Sequence, residues 1–298
     1  MPQVELPRLL EPRDFAAQLA AQRDPRIIIV DLSRADAYRE GHIPGALHVD
    51  PVELIAGTRP AVGKLPPSER LQALCDRLRL TDTSWVVACD DEGGGWAGRL
   101  IWTLDVVGHP RWSYLDGGMV AWRAAQLPLV AEQVPLTEQL PLTDAPPADH
   151  ASGSFRIRLQ PGPRIELQEL LRRHRLPEVV VWDARSPEEH RGERSGSRRA
   201  GRIPGAVNLD WLELMDPDRA LRLRRDLGTL LARRGINPDR EVITHCQTHH
   251  RSGLTYLVGR LLAYPNIRAY DGSWSEWGNQ DGTPVEAGPP AGAPVGPP

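Results

Sequence analysis

Cysteine is scarce in this chain of 298 residues: Cys75, Cys89 and Cys246 are the three present, an odd number without C-x-x-C spacing. That argues against a disulfide framework and against a structural zinc site, and it points to a reducing compartment. No stretch reaches the roughly 20 apolar residues that a membrane span needs, and residues 1–30 lack the basic-then-apolar pattern of a secretory signal. The expected location is therefore cytoplasmic, with no membrane partner. Neither sign of charge dominates. Thirty-six Lys and Arg face 39 Asp and Glu, a formal net charge of -3, so there is no bulk attraction to nucleic acid or to an anionic surface.

What is present is one pattern written twice. Ile27 to Leu32 is a buried-strand signal ending in an acid at Asp31, followed by Gly41-His42-Ile43-Pro44-Gly45-Ala46. A second strand, Trp85 to Ala88, runs into Cys89-Asp90-Asp91-Glu92-Gly93-Gly94-Gly95. A helix signal follows, with Ala97, Leu100, Ile101 and Leu104 on one face and Trp102 on its flank. The unit closes at Asp116-Gly117 and Trp122. The second half repeats this order with Val179 to Asp183, Gly201-Arg202-Ile203-Pro204-Gly205-Ala206, Glu241 to Thr244, and a closing Asp271-Gly272 with Trp274 and Trp277. Asp90 stands 26 positions before Asp116, and Cys246 stands 25 before Asp271. Such agreement indicates a duplicated domain. Short apolar strands alternating with amphipathic helices predict an α/β fold in which each copy is a parallel sheet with helices on both faces.

The expected division is a first domain over 1–130, a linker over 131–160 that is rich in Pro, Ala, Asp and Ser, a second domain over 161–282, and a mobile Pro/Gly-rich tail over 283–298. Glu166 to Arg173 is expected to be helical with Leu167, Leu170 and Leu171 turned inward. The basic run Arg219 to Arg225 is read as a solvated helical face, and Cys75 as a core residue.

The chemistry concentrates in Cys246-Gln247-Thr248-His249-His250-Arg251, between a strand and a helix signal carrying Leu254, Leu257, Val258, Leu261 and Leu262. A cysteine there meets loop N–H groups and a helix N-terminus, both of which stabilise a thiolate. Arg251, with His249 or His250 when protonated, would add positive charge. His245, Cys246, His249 and His250 could together ligate a metal, but they crowd into one turn without a distant second pair, so no metal is expected. Cysteine phosphatases use Cys-x5-Arg, whereas Cys246-x4-Arg251 makes a tighter cradle, better matched to sulfur. In the first copy Asp90 takes the nucleophile's place, and the acidic Asp90, Asp91 and Glu92 suit no anionic substrate. That copy is expected to be noncatalytic.

These residues together resemble the rhodanese family, in particular its tandem-domain bacterial thiosulfate sulfurtransferases. The likeness covers roughly 8–130 and 160–282. It rests on the strand-end Asp31 and Asp183, the paired G-[HR]-I-P-G-A segments, the loop Cys246 to Arg251 and the closing Asp-Gly motifs. What the resemblance implies is ping-pong sulfur transfer: Cys246 takes sulfur from a donor such as thiosulfate as a persulfide and passes it to cyanide, a thiol or a protein acceptor, with no cofactor. Gln247, Thr248, His249, His250 and Arg251 would then bind substrate, while Asp183 and Arg185 brace the loop. Trp211 and Trp274 would wall the pocket or pack the core. Mercaptopyruvate sulfurtransferases are similar too, but they typically carry a small, nearly neutral Cys-Gly-Ser/Ala-Gly-Val-Thr loop and an arginine where this chain has Glu189. That carboxylate would repel a carboxylate donor unless Arg191 compensates. A persulfide carrier without turnover is a further alternative.

Overall fold

The computed structural model describes residues 5–22, 24–131 and 154–289. The first repeat contains β1 (Leu9–Leu10), α1 (Pro12–Ala21), β2 (Ile27–Asp31), α2 (Ala35–Glu40), β3 (Leu47–His48), a 3-10 turn at Pro51–Leu54, α3 (Ser68–Arg77), β4 (Trp85–Cys89), α4 (Gly95–Val107), β5 (Trp112–Leu115) and α5 (Gly118–Ala124). Its strands form a parallel sheet in the order β1-β5-β4-β2-β3. The second repeat contains α6 (Leu167–Arg173), β6 (Val179–Asp183), α7 (Pro187–Arg191), β7 (Val207–Asn208), β8 (Met215–Asp216), β9 (Arg222–Leu223), α8 (Leu227–Arg233), β10 (Glu241–His245), α9 (Arg251–Leu261), β11 (Ile267–Ala269) and α10 (Ser273–Trp277). Its parallel sheet runs β11-β10-β6-β7. The expected α/β class, two parallel sheets flanked by helices, is what the chain forms.

Strand residues alternate between two faces, and the alternation decides which core each fills. In β4, Trp85, Val87 and Cys89 join a cluster confined to the first repeat, with Phe15, Met119 and Trp122. In β10 and β6, Ile243, Val179 and Val181 join a cluster confined to the second, with Trp274 and Trp277. The opposite faces, through Val86 and Ala88, Val180 and Trp182, and Val242, enter one continuous core that draws on both repeats. Each repeat thus buries one face privately and shares the other.

The two central helices meet in that shared core. A Cβ placed on Gly98 would collide with the Gly253 carbonyl, and one on Gly253 with the Gly95 carbonyl and the Arg99 amide. Glycine here permits backbone-to-backbone contact between α4 and α9. This explains why α4 is buried on nearly every side from Ala97 to Val107, including Trp102, which the periodicity placed on a flank.

Several expectations need correcting. Arg219 to Arg225 is not a helix face. A 3-10 turn at Pro217–Arg219 and positive φ at Ala220 and Leu221 break any helix, and β8 and β9 form an antiparallel ribbon. The ribbon docks on the first repeat: Leu223 N donates to Asp116 Oδ1 at 2.8 Å and Arg222 pairs with Glu11 at 3.2 Å. Asp271 makes the reciprocal contact, accepting from Leu65 N at 2.9 Å. The two closing aspartates therefore bond the repeats to each other. Residues 283–289, expected to be mobile, are docked instead. Arg202 pairs with Glu286, Trp277 Nε1 donates to the Pro284 carbonyl at 2.7 Å, and Gly288 N donates to the Arg191 carbonyl at 2.8 Å. The rest of the proposed tail, 290–298, and linker residues 132–153 lie outside the described residues. Residues 154–160 lie along the first repeat, with Phe155 N bonded to the Leu80 carbonyl and Arg158 N to that of Val107. Cys75 is core, and burial pushes its thiol up to about 12.

Candidate functional site

Cys246 follows the last residue of β10, and Arg251 opens α9. The loop between them puts His249 at φ 55, the position occupied in the first repeat by Gly93 at φ 95. Histidine tolerates this left-handed region better than a β-branched residue would. The loop is tied from below by α10: Trp274 N donates to the Cys246 carbonyl and Ser275 N to that of Gln247, each at 2.9 Å. Cys246 N donates to Ser273 Oγ at 3.4 Å. From the first repeat, Gly63 packs so closely on the Thr248 carbonyl that a Cβ there would overlap it.

Cys246 is 1% exposed. Burial opposes its ionisation, but the charge of Arg251, the hydroxyl and N–H of Ser252 and, further down, His250 outweigh it, so the thiol titrates below its ordinary value. Cys89 shows the contrast. Burial, and after it the charges of Asp31, Asp90 and Asp91, drives its thiol well up. Ser252 was not singled out in the sequence. Its only signal there is its place in the first turn after the arginine.

The histidines do different things. His249 is fully buried. Burial, followed by the charge of Arg99, holds it well below the usual imidazole range, so it is neutral. Its Nδ1 meets Ser252 Oγ at 2.7 Å and its ring meets Trp102 edge-on at 4.5 Å. For the Ser252 hydroxyl to donate to sulfur, His249 must donate from Nδ1, which fixes its tautomer. The expectation that it supplies positive charge is corrected. His250 turns to the first repeat, pairing with Glu92 and stacking on Trp96 at 4.4 Å. His245 is buried, and desolvation pulls it down to about 4.

Arg251 is not free either. Its guanidinium makes a bidentate pair with Glu189, Nη1 to Oε2 at 2.6 Å and Nη2 to Oε1 at 2.9 Å. The compensation expected of Arg191 comes from Arg251 instead, since Arg191 is engaged by Glu193 and Glu188. Asp183 and Arg185 are buried and bidentately paired at 2.9 and 2.7 Å. Burial works against the Asp183 charge, but Arg185, His245 and His190 hold the carboxyl well below its usual range. Arg185 also lies 4.5 Å from the Trp274 ring, which makes Trp274 a packing residue. Trp211 is half-buried with its ring 5.6 Å from that of His250.

In the first repeat, Asp90 occupies the equivalent cradle with its own carboxylate. Oδ1 accepts from Glu92 N, Gly93 N and Gly94 N at 3.2, 3.0 and 2.8 Å, and Oδ2 from Ala97 N at 2.9 Å. Burial, then Glu92, raises this carboxyl to about 6. The cradle is an anion site whose anion is built in.

A cleft of about 560 Å³ opens beside the loop, lined by Gln247, Thr248, Ser197 and Arg198 from the second repeat and Arg59 and Val62 from the first. Gln247 Nε2 donates to Ser197 Oγ at 3.0 Å. A larger cavity of about 900 Å³ lies at the other end of the second sheet, among Glu178, Asp239 and Arg268. It holds none of the loop residues, and ligands of open parallel sheets bind at the C-terminal strand ends, so the smaller cleft is the relevant one. Among the described residues no cluster of three or more His, Cys, Asp or Glu could hold a metal ion, and no helix is long and apolar enough to cross a membrane.

Comparison with known proteins agrees with this architecture. A thiosulfate sulfurtransferase of Azotobacter vinelandii is 48% identical over 281 residues, covering 94% of this chain and 97% of the relative. One from Pseudomonas aeruginosa is 46% identical over 95% of this chain and 98% of its own length. A sulfur carrier protein of Thermus thermophilus is 30% identical over 89% of this chain and 92% of that one. Among solved structures, an anaerobic ergothioneine biosynthesis enzyme from Chlorobium limicola, in complex with trimethyl histidine, superposes with a TM-score of 0.79 at 22% identity, over 95% of this chain and 71% of that chain. That last likeness shows the fold alone. The Rhodanese-like domain family matches residues 13–125 and again 166–280, and the chain belongs to that family as a tandem of two such domains.

Proposed function

We propose that this protein is a thiosulfate sulfurtransferase that works through a persulfide on Cys246. The observation that carries the reading is the placement of Cys246 directly after β10 and ahead of α9, in a loop tied to α10, where Arg251 and Ser252 favour its anion. In the first step the thiolate attacks the outer sulfur of thiosulfate, the S–S bond breaks, and sulfite leaves with the electron pair. In the second, cyanide or a thiolate attacks the terminal sulfur of the persulfide, releasing thiocyanate or a new persulfide and restoring the Cys246 thiolate. Splitting the exchange in two is nucleophilic covalent catalysis. Each step conserves charge and needs no redox partner or cofactor.

Gln247, Thr248 and Arg251 line or flank the route to the sulfur, and Asp183 with Arg185 braces the loop. The catalytic domain is the second, over 161–282. The first, over 1–130, carries no nucleophile, because Asp90 fills its cradle. Three unpaired, buried cysteines suit a reducing cytoplasm. The named relatives favour thiosulfate over a mercaptopyruvate-like donor.

The test is steady-state release of sulfite and thiocyanate by the parent and by Cys246→Ser. Loss of at least a thousandfold in the variant is expected, since an alcohol of ordinary pKa replaces the nucleophile. Undiminished turnover would eliminate the mechanism. Stoichiometric loading without turnover, alongside transfer to one protein partner, would favour a carrier.

A further inference from the structure

The loop of the first repeat has lost its nucleophile and yet lies against the loop that keeps one. Glu92, two positions after Asp90, pairs across the domain boundary with His250 Nε2. Trp96, in the first turn of α4, stacks on the same imidazole with an interplanar angle of 24°. Trp211 closes on it from the second repeat at 59°. Little room is left to move: a Cβ on Gly95 would strike both the Glu92 carboxylate and His250 Nε2. The ring is thus held at one nitrogen by Glu92 and on one face by Trp96, both residues of the other domain, with Trp211 tilted beside it.

Asp90 supplies the rigidity behind this clamp. Its carboxylate collects the N–H groups of Glu92, Gly93, Gly94 and Ala97, so the backbone that presents Glu92 and leads to Trp96 is fixed by a buried anion. The same geometry in the second repeat would cradle a substrate-bearing sulfur. In the first it has become scaffolding.

We propose that the first domain completes the reactive site of the second, with Glu92 and Trp96 as positioning residues that hold His250 beside the Cys246 loop. The inference rests on the assignment of Cys246 as nucleophile. It goes beyond that assignment by giving the noncatalytic repeat a part in the reactivity of the thiol. His250 is among the groups that favour the Cys246 anion, and a freely rotating ring would supply that help only part of the time. The charged and titratable groups that act with the imidazole are Glu92 from the first repeat and Cys246 and His249 from its own loop.

The test is the pH dependence of Cys246 alkylation by iodoacetamide, read by mass spectrometry of the Cys246 peptide, for the parent, Glu92→Ala, His250→Asn and the double variant. Glu92→Ala is expected to move the midpoint to higher pH and to slow alkylation several-fold at neutral pH. The double variant is expected to match His250→Asn, because two residues acting through one ring are not additive. A Glu92→Ala profile superimposed on the parent, or shifts that add in the double variant, would overturn the proposal. So would a change confined to the unfolding midpoint, which is all that a merely structural role predicts. If Glu92→Ala does not fold, Glu92→Gln keeps the volume and removes the charge; a shifted profile supports the clamp and an unshifted one overturns it. Alkylation uses no sulfur donor. A parent protein that alkylates readily at Cys246 yet transfers no sulfur would contradict the functional reading, not this one.

Discussion

Arg251 is the strongest cation at the thiol, and its partner is Glu189 on α7. The Glu189 carboxylate, kept below its usual range by Arg251 although burial opposes it, cancels much of the field that a dianionic donor would meet. Glu189→Gln removes that charge and keeps one hydrogen-bond acceptor. At an effective dielectric near 20, two unit charges about 10 Å apart interact by roughly 1–2 kcal/mol before screening. The KM for thiosulfate should therefore fall about fivefold, and the gain should shrink as salt rises. An unchanged or higher KM would mean that Glu189 is needed to orient Arg251. At this scale the sequence was legible for residue types and mute about partners. Nothing in the spacing of Glu189 and Arg251, or of Glu92 and His250, marks them as pairs, because each is closed by tertiary contact. The histidines show this best. Burial and Arg99 hold His249 neutral and Glu92 pairs with His250, and a linear pattern reveals none of these contacts.

At the scale of elements, the strands and the two central helices could be read from periodicity, since their apolar residues recur with the period of a strand or helix. What periodicity could not show is that α4 and α9 press on one another. A helix apolar on one face and a helix enclosed on all sides differ here by the presence of Trp102, Gly98 and Gly253 on the second face. Gly98→Ala tests that contact. The added methyl has to displace the Gly253 backbone, and overpacking of this kind costs about 1–3 kcal/mol. The midpoint of chemical denaturation should fall accordingly with an unchanged slope. A variant as stable as the parent would show that the helices can separate at no cost. The run Arg219 to Arg225 misled for a related reason: its basic residues have a helical look, but Asp116 recruits the Leu223 amide and holds the segment extended.

For the whole molecule, duplication was visible because both copies keep the same order of strands, turns and closing motifs. The proposed division of labour rests on one difference legible in the sequence, Asp90 where the second copy has Cys246. The joining of the copies was not legible there. The shared core, the reciprocal Asp116 and Asp271 contacts and the Glu92 to His250 pair make the two domains one unit of packing, so a pattern that suggests two independent cores describes the ancestry better than the energetics. The central claim nevertheless concerns one atom, the Cys246 sulfur. It is tested most directly by mass spectrometry of the intact protein and of the Cys246 peptide after exposure to thiosulfate and removal of excess donor. The account predicts about 32 Da added at Cys246, none at Cys75 or Cys89, and removal of that mass by cyanide with one equivalent of thiocyanate formed. A protein that turns over thiosulfate without carrying sulfur on Cys246 would contradict it.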